Sequence, residues 1–263
     1  MVADLRRDGR SSASWDALLG DVLLGVVAVG MRETGRQFLD IVDVGGGTGG
    51  LAVPLAILGH NVTVVDPSPD ALAAAQRRAA EVSVQMTAVQ GEAASLDSLT
   101  GPESADLIVC HNVLEYVDSP VDAMAAIARV LRPSGTVSVL AANSVAAVLH
   151  RALAGRFAEA SRMIPGGGGS SGSPANPERN SVDTESEERP RRFTLPELTE
   201  LVEGAGLRAG EAHGLRIFGG MVSGALVDGD PGAAMSLLAL ERAAATYPPL
   251  RDIAAQLHLL AHR

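Results

Sequence analysis

Asp43-Val44-Gly45-Gly46-Gly47-Thr48-Gly49-Gly50 follows the short apolar stretch Asp40–Val44 and leads into a second one, Leu51–Leu58. A buried strand, a glycine-rich turn and a helix are the simplest reading of that order. Glycines let the chain turn sharply and let a ligand approach the backbone closely. The helix N-terminus that follows offers free N–H groups to an anion. Asp66 lies 23 residues after Asp43, at the tip of a second predicted strand, Asn61–Asp66. An acid placed there can accept hydrogen bonds from both hydroxyls of an adenosine ribose. It can also cap the helix predicted from Pro69, although Ser68 is better placed for that.

Outward from this unit, strand-like and helix-like segments alternate. Helix is expected at Trp15–Arg32, Pro69–Ala80 and Val121–Leu131. Strand is expected at Ser83–Val89, Ala105–Cys110 and Gly135–Ala141. Ser144–Met163 reads as one helix. Thr194, with Pro196 and Glu197 behind it, reads as the capped start of another. A strand pair, Leu207–Phe218 and Gln256–His262, is expected around a helix at Pro231–Thr246. Such alternation predicts an α/β fold with a mostly parallel sheet and helices on both faces. Residues 165–190 are rich in Gly, Ser, Pro and acid, and are predicted to form a flexible insertion.

Composition narrows the function. The chain of 263 residues is 46% hydrophobic, 20% charged and 3% aromatic, with a formal net charge of −10. Every one of the 21 basic residues is Arg, which excludes a strongly basic nucleic-acid surface over the whole chain but not a local patch. Arg189, Arg191 and Arg192, around Pro190, are the nearest thing to such a patch. Seven aromatic residues (one Trp, two Tyr, four Phe) give few platforms for base stacking. The lone Cys110 excludes an internal disulfide. Strand alternation turns Cys110 away from its neighbour His111, into the core. His213, His258 and His262 are scattered and show no metal spacing, so no metal site is expected. His150 reads as a structural residue on an apolar helix. The N-terminus lacks a signal-peptide core, and Val22–Met31 is about half of the ~20 residues a membrane span needs. A cytoplasmic protein with no membrane and no DNA partner is expected.

The glycine loop alone fits two ligand classes. Gly45, Gly47 and Gly50 satisfy the dinucleotide fingerprint G-x-G-x-x-G. The same stretch also satisfies D-x-G-x-G-x-G, the first motif of S-adenosylmethionine (SAM) binders. Three downstream strings separate them: Val65-Asp-Pro-Ser-Pro-Asp-Ala-Leu72, Asp106-Leu-Ile-Val-Cys-His111-Asn-Val-Leu-Glu-Tyr-Val-Asp118 and Ile127-Ala-Arg-Val-Leu-Arg-Pro-Ser-Gly-Thr136. Together they resemble class I SAM-dependent methyltransferases. Ser134 stands where that family's turn has its first Gly, and Gly135 is expected to supply any positive φ the turn needs. His111-Asn-Val-Leu-Glu-Tyr-Val, Ala142–Phe157, Gly214–Phe218, Leu240-Glu-Arg and Gln256–His262 further resemble the tRNA 5-carboxymethoxyuridine methyltransferase group. That group methylates the carboxylate of a modified wobble uridine.

The resemblance implies a single class I domain over residues 1–263, with an N-terminal helical segment at 13–34. It implies a seven-stranded, mostly parallel, Rossmann-like sheet with one antiparallel strand near the C-terminus. SAM is the implied cofactor, and tRNA or a small-molecule acceptor the implied partner. Asp43, Gly45, Gly46, Gly47 and Gly49 would form the cofactor loop, with Asp66 and Pro67 at the ribose. Glu92, Ala93 and Ala94 would border the adenine, and His111 would close over the methionine end. Arg10, five residues before Trp15, matches an Arg in the family's first helix.

Methyl transfer from a sulfonium is an in-line displacement, for which the protein mainly supplies position and desolvation. An ionised carboxylate acceptor needs no base. A hydroxyl or amine acceptor does, and His111 is then the first candidate. A non-catalytic SAM-binding module and a nicotinamide oxidoreductase are the readings from other classes.

Overall fold

The computed structural model describes residues 13–165, 190–222 and 231–263. Arg10 lies outside the described residues, as do Arg189 and all but the end positions of the 165–190 stretch. The strands are β1 (Asp40–Val44), β2 (Asn61–Asp66), β3 (Thr87–Gln90), β4 (Ala105–His111), β5 (Leu131–Ala142), β6 (Arg208–Leu215) and β7 (Gln256–His262). They form one seven-stranded sheet in the order β3-β2-β1-β4-β5-β7-β6. β1 to β5 pair in parallel, and β7 runs antiparallel to both of its neighbours.

β1, β4 and the middle of β5 are buried on both faces, as expected where helices cover a parallel sheet. On one face lie α1 (Ala13–Thr34), α2 (Ala52–Ile57) and α3 (Pro69–Glu81). Leu19, Leu23 and Val27 recur every four residues along α1 and pack with Ile41, Val64, Leu107, Val109 and Leu140 of the sheet. On the other face lie α4 (Leu96–Thr100), α5 (Pro120–Val130) and α8 (Leu195–Gly204). Met124, Ile127, Leu198 and Val202 pack there against Val42, Ile108, Cys110, Val139 and Leu259. Ser68, Ser119 and Thr194 cap α3, α5 and α8 through their side chains, and Thr194 with Glu197 closes a full capping box.

Several expected boundaries move for identifiable reasons. β3 begins at Thr87, not Ser83, because Ser83 takes a left-handed φ of 59° as α3 unwinds. β5 begins at Leu131, with a register shift against β4 between Ala105 and Leu107. Within that irregular stretch Ser134, not Gly135, takes the positive φ, at 67°. Gly135 serves close approach instead, since a Cβ there would lie 2.8 Å from the Arg132 carbonyl oxygen. The helix expected over Ser144–Met163 is two: α6 (Ser144–Leu153) and α7 (Phe157–Met163), parted at Gly155. Arg216, with φ 60°, ends β6 before Phe218. α9 spans Pro231–Ala244.

An acid cluster ties the sheet at the end away from the glycine loop. Asp106 accepts the Asp40 backbone N–H at 2.8 Å, and Arg36 and Arg132 each reach it at 3.0 Å.

Candidate functional site

The C-terminal ends of β1, β2 and β4 meet where the strand order turns from β1 to β4, the place where open α/β sheets bind ligands. The glycine loop closes this edge. Gly45 donates its N–H to the Val65 carbonyl at 2.7 Å and has a φ of 67°. A Cβ on Gly45 would lie 2.4 Å from Val113 Cγ2. A Cβ on Gly46 would lie 2.6 Å from Asp43 Oδ2 and 2.9 Å from Val64 Cγ1, so the loop packs directly on β1 and β2. Gly49 donates to the Gly46 carbonyl at 2.9 Å and leads the chain into α2.

Two carboxylates brace the loop from beneath. Asp66 accepts the Gly47 N–H on Oδ2 and the Ser68 N–H on Oδ1, both at 2.9 Å. A carboxylate has about four lone-pair sites, so each oxygen keeps one for a ligand hydroxyl. Asp43 is 3% exposed and takes a hydrogen bond from the Ala52 backbone at the start of α2. Burial, with the nearby Asp66 charge, pushes its carboxyl up to about 7. Asp43 therefore acts on the loop and on α2, underneath the edge that Asp66 presents.

The expected adenine border is split. Glu92 and Ala94 are exposed, while the Ala93 side chain is buried in the core. Pro67 is exposed, and its carbonyl accepts the Gln90 amide at 3.1 Å.

His111 ends β4. Its Nε2 lies 2.8 Å from Ser138 Oγ on β5, and its Nδ1 is enclosed without a hydrogen-bond partner. Burial pushes the imidazole down to about 3, so the ring is neutral. Cys110 points into the opposite core, as alternation requires, and burial raises its thiol to about 12. Behind His111 the chain turns through Asn112, whose left-handed φ of 55° is steadied by the Gln256 amide at 2.7 Å.

Further residues shape this edge. Glu115 is buried and accepts the Ala142 N–H at 2.7 Å on Oε1, while Oε2 has no partner. Burial is the main influence on Glu115 and raises its carboxyl above the ordinary range. Arg191 donates its backbone N–H to the Glu115 carbonyl and its guanidinium to the carbonyls of Val117 and Asp118. Arg191 is thus a clamp on the loop after β4, where the sequence offered it as part of a local basic patch. Asn143 is fully buried, caps α6 and donates to the carbonyls of Asp252 and Ala254, which ties α6 to the chain entering β7.

His213 and His258, scattered in sequence, are adjacent in the sheet: their Nδ1 atoms lie 3.3 Å apart, and His258 Nε2 lies 2.8 Å from Ser138 Oγ. Among the described residues no group of three or more His, Cys, Asp or Glu is arranged to hold a metal ion. No described helix is long and apolar enough to cross a membrane.

Known proteins share this arrangement. Residues 42–139 match the methyltransferase-domain family Methyltransf_11. The tRNA 5-carboxymethoxyuridine methyltransferase of Escherichia coli (strain K12) is 33% identical over 128 residues, 48% of this chain and 49% of that protein. The ubiquinone biosynthesis O-methyltransferase of Xanthomonas campestris (strain B100) is 32% identical over 163 residues, 58% of this chain and 65% of that protein. The chain thus spans between about half and two thirds of the length of these curated relatives. The magnesium protoporphyrin IX methyltransferase of Synechocystis PCC 6803, solved with bound SAH, superposes with a TM-score of 0.54 at 16% identity. That superposition covers 92% of this chain and 82% of the other.

Over residues 42–139 the glycine loop and the strands around it thus resemble a methyltransferase domain. S-adenosylmethionine is the cofactor this likeness implies, and the residues present fit it. The glycine cradle leaves no room for a Cβ at Gly45 or Gly46, and each Asp66 oxygen accepts a single N–H and so keeps acceptor capacity.

Proposed function

We propose that this chain is a SAM-dependent O-methyltransferase whose acceptor is a protic oxygen, a hydroxyl on a small molecule. When bound, SAM supplies an electrophilic methyl group. The glycine loop and Asp66 hold the adenosine end, with Gly47 and Gly49 shaping the loop, Pro67 beside the ribose and Ala94 near the adenine. His111 stands at the methionine end and takes the acceptor's proton. The observation that carries the reading is His111 itself: a neutral imidazole, anchored through Nε2, with no protein partner for Nδ1. A hydroxyl needs such a base, whereas an ionised carboxylate does not.

A second reading keeps the acceptor named by the Escherichia coli relative, the carboxylate of 5-carboxymethoxyuridine in tRNA. The 33% identity over 128 residues and the C-terminal strings favour it. Arg192, exposed and electrostatically coupled to Glu115, offers the cation such a carboxylate would need. Methyl-labelled SAM separates the two. The protein is incubated with total tRNA and, separately, with small-molecule extract, and labelled products are treated with mild alkali. Alkali-stable label in the small-molecule fraction is the expected result. Alkali-labile label in tRNA establishes the second reading. Label in neither, with SAM bound, makes the chain a non-catalytic SAM-binding module.

A further inference from the structure

Three side chains behind His111 have no role in holding the cofactor loop. Val109, His111, Ser138, His258 and His213 share one face of the sheet, because Val109 pairs with Ser138, His111 and His258 both pair with Leu140, and His213 pairs with His258. This is the face that α1 covers. The polar members form a continuous line across β4, β5, β7 and β6. His111 Nε2 is 2.8 Å from Ser138 Oγ, Ser138 Oγ is 2.8 Å from His258 Nε2, and His258 Nδ1 is 3.3 Å from His213 Nδ1. Ser138 and His258 are fully buried and His213 is 7% exposed. Buried polar groups in an otherwise apolar layer are destabilising unless all are satisfied, and this line satisfies its inner members through one another alone.

We propose that Ser138, His258 and His213 are positioning residues that carry the acceptor's proton away from His111 along a single hydrogen-bonded chain. The proposal rests on the methyltransferase reading above.

A neutral imidazole donates from one nitrogen and accepts at the other. That rule leaves two proton orders for the whole line. In the first, His111 Nε2–H donates to Ser138, the Ser138 hydroxyl donates to His258 Nε2, and His258 Nδ1–H donates to His213 Nδ1. His213 then carries its proton on Nε2, and His111 Nδ1 is bare. In the second order every donor and acceptor is exchanged, and His111 carries its proton on Nδ1. A cofactor cation beside His111 favours the bare nitrogen, and so the first order.

Transfer converts the first order into the second. The acceptor's O–H bond breaks and an N–H bond forms at His111 Nδ1, while the methyl–sulfur bond breaks and a methyl–oxygen bond forms. His111 passes its Nε2 proton to Ser138, Ser138 passes its own to His258 Nε2, and His258 passes its Nδ1 proton to His213 Nδ1. One proton leaves at His213 Nε2 to solvent. There Glu211 favours a protonated ring and Arg251 opposes it. No member becomes an imidazolium at any stage. That is the physical advantage of the line: burial forbids a lasting positive charge on His111, yet the proton can still depart. Nδ1 is enclosed and has no hydrogen-bond partner within the chain, which leaves its lone pair for the acceptor's proton.

The test reads tautomers rather than turnover. The full chain, labelled with 15N-histidine and loaded with SAM in the absence of any acceptor, is examined by two-bond nitrogen–proton correlation from pH 5 to 8. The expected result is His111 wholly Nε2–H and His258 wholly Nδ1–H, neither titrating, and the neutral form of His213 Nε2–H. Ser138→Ala is expected to turn His111 into a tautomer mixture, and Ser138→Thr, which restores the hydroxyl, to return it to one form. A wild-type His111 protonated on Nδ1, or a His111 tautomer that ignores Ser138→Ala, would overturn the relay. Calorimetric titration with SAH on the same samples tests the underlying reading separately, since failure to bind SAH leaves the tautomers measurable.

Discussion

Replacing Asp66 with Asn separates its two duties. In the folded chain its oxygens accept the Gly47 and Ser68 N–H groups, each at 2.9 Å, and each keeps acceptor capacity. Asn retains one acceptor oxygen and turns an NH2 donor toward the other N–H. One charge-assisted backbone bond is lost, which lowers stability by ~1.5–3 kcal/mol. A bidentate ribose contact becomes a single neutral one, weakening cofactor binding by a further ~1.5–3 kcal/mol, about 10- to 150-fold in Kd. The Asp43 carboxyl, held up at about 7 partly by the Asp66 charge, should also move down. The assay is calorimetric titration with SAH beside urea melts of both proteins. An unchanged Kd with reduced stability would refute the ribose assignment and leave Asp66 a loop brace only.

Other perturbations have equally definite outcomes. Gly46→Ala places a Cβ 2.6 Å from Asp43 Oδ2, so it should lower stability by ~1–3 kcal/mol and weaken SAH binding, as read by melts and titration. Asp43→Asn tests pH linkage. Burial and the Asp66 charge push the folded carboxyl up to about 7 from an ordinary 3.8, so the folded wild type binds this proton more tightly than the unfolded chain does. Its contribution to stability is full below the unfolded value and declines as pH rises through about 7. The stability of Asp43→Asn relative to wild type should therefore grow by up to ~1.4 kcal/mol per pH unit between pH 4 and 7, and a flat difference in urea melts would contradict the assignment. Glu241→Gln removes a buried carboxylate that accepts the N–H groups of Ile217, Phe218 and Gly219. It should destabilise the chain by ~1.5–3 kcal/mol and raise amide exchange at those three positions.

The sheet was legible because its strands carry their own signals. Apolar strand-like runs alternate with Ala-rich helical segments, and Ser68 and Thr194 punctuate two helix starts. The glycine loop and Asp66 were legible because their spacing along the chain is itself the geometry. The histidine line was not. Its members are 27, 120 and 45 residues apart, and only the pairing registers of β4, β5, β7 and β6 bring them together. Strand alternation placed Cys110 and His111 on opposite faces, but only the pairing of Val109 with Ser138 and of Leu140 with both His111 and His258 puts Ser138 and His258 on the face of His111. Arg191 looked like part of a local basic patch because its carbonyl partners, Val117 and Asp118, lie more than seventy residues before it. Ser134 shows the limit of residue-type rules: Gly135 had the conformational freedom, but a tight approach to Arg132 took precedence there.

The central claim is that the glycine edge holds a sulfonium nucleoside rather than a dinucleotide. Parallel calorimetric titrations of the full chain with SAM and with NADH test it most directly. The account predicts saturable binding of one SAM per chain, weakened in Gly46→Ala, and no heat of binding with NADH. Saturable NADH binding with none for SAM would contradict it.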